Sequence, residues 1–161
     1  MSRIDNEVKL LPSLLDRLLD FEPELSQESP KTRLRSLREI KQSLKRDLEW
    51  LLNTRCHLPE LDERIEELRK SVLAYGMPDF TGVSIKSSVE QSRLTKALEN
   101  AVRLFEPRLS NLKVTLEPFS EVDKVLKFRL EALLKVEPTP EPIAFDTVLQ
   151  PGNGEFEIKE R

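Results

Sequence analysis

Glu106-Pro107-Arg108 is the stretch of this 161-residue chain where residue type and spacing point most directly to recognition chemistry. Glu106 falls at the carboxyl end of a helical pattern, where an anion opposes the helix dipole unless it is paired. Pro107 fixes the bend out of the helix. Arg108 follows with a planar five-donor fork suited to a carboxylate. Two readings stand side by side: a local ion-paired turn, or a polar contact to a partner. As a surface or rim group, Arg108 is expected to contribute only about 0–1 kcal/mol to the isolated fold.

A second charged feature is basic. Lys31, Arg33, Arg35, Arg38, Lys41, Lys45 and Arg46 place seven cations between positions 31 and 46, against Glu39. The run is either a solvated helix face or a docking face for an acidic partner. Nucleic acid is disfavoured, because the chain carries net charge −3 and no aromatic residues interleave the run.

Residues for covalent or metal chemistry are scarce. Cys56 and His57 are the only cysteine and histidine, and adjacent side chains rarely form an oriented nucleophile and base. One of each cannot build a structural zinc site. A lone cysteine makes no internal disulfide, which fits a reducing compartment. There is no glycine-rich phosphate loop. The 29 acidic residues include no identifiable pair facing one cleft, as glycoside hydrolysis requires. No cofactor is implied. The amino terminus has no apolar signal core, and no apolar run approaches the roughly 20 residues that span a bilayer. The expectation is a non-enzymatic cytoplasmic protein without membrane insertion.

The elements that must position these residues follow from periodicity. Leu14, Leu15, Leu18 and Leu19 share a face of a short helix after Pro12, ended by Phe21-Glu22-Pro23. Leu34, Leu37, Ile40, Leu44, Leu48, Leu51 and Leu52 form the stripe of a long helix reaching Thr54, with Trp50 off the stripe and Asn53 at the exit. Leu61, Ile65, Leu68 and Val72 mark a third helix, with Pro59 near its start and Gly76 as its stop. Ser87-Ser88-Val89-Glu90 has the capping-box form, opening a helix that buries Leu94, Ala97, Leu98, Ala101, Val102 and Phe105.

The period then falls from 3.6 to 2. Alternating segments at 112–116, 126–134 and 143–149, a turn at Pro151-Gly152-Asn153-Gly154 and a last strand at Phe156 and Ile158 predict a small, mostly antiparallel sheet. Pro138, Pro140 and Pro142 are expected to lie outside any central ladder. The third segment, following them, is expected near a sheet edge. The fold class is α+β, with amino-terminal helices packed on a carboxyl-terminal sheet. One domain over 1–161 is expected, helical over about 12–106 and stranded over about 110–159.

Three segments, in order, resemble the type VI secretion baseplate family TssE and its phage-tail relatives. Residues 36–55 resemble that family's long helix, with Arg46-Asp47-Leu48 and Leu51-Leu52-Asn53-Thr54-Arg55. Tyr75-Gly76-Met77-Pro78-Asp79 is similar to its Tyr-Gly-x-Pro-Asp turn, and Glu106-Pro107-Arg108 to its Glu-Pro-Arg signature. Leu14-Leu15-Asp16-Arg17-Leu18 is similar as well. The likeness spans about 12–158. It implies a wedge subunit contacting TssF and TssG, with TssK a further candidate, that starts polymerisation of the TssB/TssC sheath. The candidate partner-binding residues are Glu106, Pro107, Arg108, Arg38, Lys41, Lys45 and Arg55. The alternatives are an interaction protein on the same fold, such as a protease-adaptor anti-adaptor, and a muramidase. The family's "lysozyme-like" label is a historical association that does not establish chemistry.

Overall fold

The computed structural model describes residues 12–19, 33–56, 65–80, 87–118, 125–150 and 154–160. His57, Pro59, Leu61, Lys31, Phe21-Glu22-Pro23 and the first three residues of the 151–154 turn lie outside them. Four helices precede four strands: α1 Leu14–Leu18, α2 Arg33–Asn53, α3 Glu66–Arg69, α4 Ser88–Phe105, β1 Leu109–Leu116, β2 Leu126–Leu134, β3 Glu141–Gln150 and β4 Glu155–Glu160. The fold is α+β, as the periodicity predicts.

The long helices form where the apolar stripes lie. α2 buries Ile40, Leu44, Leu48, Leu51 and Leu52, and α4 buries Leu94, Leu98, Ala101 and Val102. The Ser87 hydroxyl accepts from the Glu90 amide, capping α4. The strands run as an antiparallel meander in the order β1-β2-β3-β4. Leu126, Phe128, Leu130, Ala132 and Leu134 of β2 and Ile143, Phe145 and Leu149 of β3 share one core with both helices. Removing this apolar area from water is the main favourable term holding helices to sheet.

Four sequence expectations need correction. α1 is present, but Leu14, Leu15, Leu18 and Leu19 are all exposed, because the helix is held through Asp16 on its other side. Leu34 is exposed too, at the first turn of α2. The third helix is reduced to α3 and a 3-10 turn, Val72–Ala74. Between them Ser71 is extended, and its hydroxyl donates to the Leu68 carbonyl. That bond competes with helix continuation, and Ile65 and Val72 stay exposed.

The remaining correction concerns the prolines and the edge. β3 lies between β2 and β4, and Pro142 is within it, opposite Leu133. This is tolerated because β4 reaches only as far as Phe145. The first residues of β3 therefore have one neighbour, and Pro142 turns its missing donor to the open side.

Thr147 faces the core from β3, fully buried, and its hydroxyl has no hydrogen-bond partner. An unpaired buried hydroxyl costs about 1–3 kcal/mol. Thr147→Val should therefore raise the urea midpoint, by about 1 kcal/mol of stability or more. An unchanged or lower midpoint would mean that the hydroxyl is satisfied in solution.

Candidate partner interface

The junction between α4 and β1 is built around one buried carboxylate. α4 ends at Phe105, and Glu106 caps it with 5% of its surface exposed. Arg108 folds back over the bend. Its Nε donates to Glu106 Oε1 at 2.7 Å and an Nη to Glu106 Oε2 at 2.5 Å, a bidentate pair. The same Nη reaches Asp47 Oδ2 on α2 at 2.6 Å, and the other Nη lies 3.4 Å from the Ser43 hydroxyl. The Arg108 amide adds a bond to Glu106 Oε1. Hydrogen bonds from Glu106 and Asp47 outweigh burial and raise the Arg108 guanidinium above its already high value, so it stays charged at every accessible pH.

The network continues along α2. Arg46 donates to Asp47 Oδ1 and to Asp16 Oδ1 of α1, and its guanidinium lies 5.0 Å from the centre of the Trp50 ring. Ser13 donates to the other Asp16 oxygen at 2.5 Å. Burial opposes ionisation of Asp16, but hydrogen bonds from Ser13, Arg46 and Ser43 outweigh it and hold the carboxyl below the usual range. Tyr75 packs edge-on against Phe105 at 5.2 Å, and burial, with the Asp47 and Glu106 charges, raises its phenol.

Asp16 gives a pH test. Its folded value is depressed, so its contribution is present above its unfolded value near 4 and is lost as pH falls through the folded value. Asp16→Asn should lower stability at pH 7 by about 1 kcal/mol or less. The two proteins should converge in acid, near pH 2 or so. A gap that stays constant with pH would remove the carboxylate from the account.

The far end of α2 is tied down differently. Arg55 donates to Asp79 at 2.7 Å, and backbone bonds link Thr54 and Cys56 to Met77 in a parallel bridge. Asn53 makes two bonds to the backbone of Phe156 in β4. Arg46-Asp47 thus meets Glu106-Pro107-Arg108, and Asn53-Thr54-Arg55 meets Gly76-Met77-Pro78-Asp79. The motif residues work first as joints within the chain.

The candidate residues do not form one surface. Glu106, Pro107 and Arg108 sit together at the joint, where the Pro107 carbonyl accepts from Lys135 Nζ. Glu106 is buried, so the local ion-paired turn is the geometry observed. Arg38, Lys41 and Lys45 follow i, i+3, i+7 spacing on another flank of α2. Arg38 is exposed, Lys41 is half-buried, and Lys45 lies 3.7 Å from Glu49. The rest of the basic run is partly spent internally, with Arg33 on the Glu137 carbonyl and Arg35 on Glu39. Residue types alone missed Asp16, Ser43, Asp47, Asn53 and Tyr75. The available signal was that Asp16, Asp47, Asn53 and Tyr75 fall inside the segments that carry the family likeness.

An α+β fold with helices on one sheet face and charged side chains joining its elements is the framework of a structural protein. Residues 38–139 match the family model described as baseplate wedge protein gp25. The match covers more than half of the chain, which belongs to that family, one with a structural role in phage-tail-like baseplates. None of the curated proteins compared with the chain matches it. No helix among the described residues is long and apolar enough to cross a membrane.

Proposed function

We propose that the chain is the TssE-type wedge subunit of a type VI secretion baseplate, acting in the cytoplasm as a single domain without catalysis. It links the wedge proteins TssF and TssG, with TssK a further candidate, to the TssB/TssC sheath and primes sheath assembly. Membership of the baseplate wedge family carries this reading. The ordered set of motif segments at 46–55, 75–79 and 106–108 supports the secretion-system branch. Glu106, Pro107 and Arg108 present a rigid joint to a wedge protein, while Arg38, Lys41 and Lys45 offer a positive flank to an acidic one.

The deciding experiment deletes the gene in its native cell, restores it with a tag, identifies co-purified proteins and counts fluorescent sheaths. The deletion should abolish sheaths, and the tagged protein should bring down TssF and TssG. A deletion strain that assembles sheaths at the normal rate would overturn the proposal. Purified protein should release no peptidoglycan fragments between about pH 5 and 8. Release that vanishes on replacing one Asp or Glu would make it an enzyme.

A further inference from the structure

The two edges of the sheet are not equivalent. β1 and β4 are its outer strands, and an outer strand directs every second peptide away from the sheet. In β4 the outward peptide at Phe156 is already occupied. Its N–H donates to Asn53 Oδ1 at 2.8 Å, and its carbonyl accepts from Asn53 Nδ2 at 3.0 Å. One side-chain amide thereby makes the pair of bonds that a residue of a neighbouring strand would make. Asn53 is the last residue of α2, which packs beneath β4, so the helix delivers this cap to the edge. The side chains flanking Phe156 on the outer sheet face, Glu155 and Glu157, are charged and exposed, which further discourages pairing.

β1 is different. The Glu117 amide donates to the Lys127 carbonyl of the β2 side at 2.8 Å. The two-residue repeat then turns Thr115 and Lys113 toward β2, opposite Arg129 and Glu131. Val114 and Leu116 therefore point their N–H and C=O groups outward. Among the described residues nothing bonds to them. The Ser110–Lys113 bulge, with Asn111 at φ 52°, ends this open stretch on one side.

We infer that Asn53 closes the β4 edge and reserves the β1 edge, at Val114 and Leu116, for strand addition by an extended segment of a sheath subunit. The occupant's identity as a sheath segment rests on the proposed function. Its chemistry follows from the edge. Val114 and Leu116 are half-buried on the helix side of the sheet, while Lys113 and Thr115 are exposed on the other. The incoming strand must carry apolar residues at alternate positions toward the helices and polar ones beside Lys113 and Thr115.

Hydrogen exchange on the full chain tests the assignment without any variant. Free, the Phe156 amide should be protected, and the Val114 and Leu116 amides should exchange fast. Adding purified TssB/TssC should slow the latter two at least tenfold. No change at Val114 and Leu116 on a complex that demonstrably forms would overturn the inference. So would protection that grows with the chain's own concentration, since a second copy would then hold the edge. In cells, Val114→Pro deletes an outward donor and leaves the bonds to β2. It should bind wedge partners normally and cut sheath starts at least tenfold. If deleting the chain has no effect on sheaths, the proposed function fails. If deletion stops sheaths but a folded Val114→Pro starts them at the wild-type rate, only the edge assignment fails. Asn53→Ala should expose Phe156, seen as faster exchange there and concentration-dependent self-association of the purified chain. A monomeric Asn53→Ala protein with Phe156 still protected would show that Asn53 is not the guard.

Discussion

Arg108→Ala is expected to destabilise the fold by about 3 kcal/mol or more. The reason is the carboxylate it leaves behind. Glu106 has a side chain only 6% exposed, and Arg108 supplies both of its side-chain donors as well as a backbone one. Asp47 loses one of its two guanidinium partners at the same time. Removing one member of a buried pair costs more than the pair contributes, because the other must stay charged without a partner or be protonated. The 25% exposure of the Arg108 side chain admits water and keeps the loss near the lower end of the usual 3–5 kcal/mol or so. Glu106→Gln with Arg108→Met should lose less than the sum of the single changes, since the orphaned charge is gone. Chemical unfolding of the four proteins measures this. Strict additivity, or an Arg108→Ala protein as stable as wild type, would return the arginine to the rim position that its sequence context implies. A wedge-binding defect in Arg108→Ala must therefore be read against its melting curve before it is assigned to a lost contact.

The difference between those two views of Arg108 shows what periodicity conveys. The stripes of α2 and α4 and the alternation of β2, β3 and β4 are local patterns. They place Leu44, Leu98, Phe128 and Phe145 in the core because burial follows the element's own period. The same logic fails for α1. Leu14 and Leu18 repeat at helical spacing, yet what covers a face depends on a neighbour that no local window contains. Pro142 was misplaced for a related reason. A proline is excluded from a ladder only where its nitrogen faces a partner strand, and the length of β4 decides that. The charged joint is legible only in part. Glu106 beside a helix end called for a cation, and Arg108 supplies it two residues on. Asp47, 61 residues away in sequence, and the Asn53–Phe156 clasp, 103 residues apart, carry no local signal. The family likeness does mark Asp47 and Asn53, without saying what either touches.

Gly76→Ala is expected to be about as damaging as the loss of Arg108, and for a purely steric reason. Gly76 has φ +111°, a conformation that residues with a Cβ rarely adopt. A Cβ built there would stand 2.4 Å from the carbonyl oxygen of Thr54 and 2.9 Å from its carbonyl carbon. Neither atom can move cheaply. Thr54 O accepts from Met77 N, and Cys56 N donates to Met77 O, both at 2.8 Å, so relieving the clash would break the bridge that pins 75–79 to the end of α2. Backbone strain together with the broken bridge should total about 3–5 kcal/mol. Gly154 is the internal comparison. Its φ is +69°, and the atom met by a Cβ, at 2.7 Å, is the Arg55 guanidinium, the far end of a flexible side chain. Arg55 can swing aside, so Gly154→Ala should cost only the left-handed backbone term, about 1–2 kcal/mol. Gly154→Asn should cost less still, because asparagine tolerates that region. Thermal unfolding of the three variants decides the matter. Gly76→Ala as stable as Gly154→Ala would mean that the 75–79 segment does not hold its close approach to Thr54 in solution. The Arg55–Asp79 pair and the Met77 bridge would then no longer count as joints of the fold.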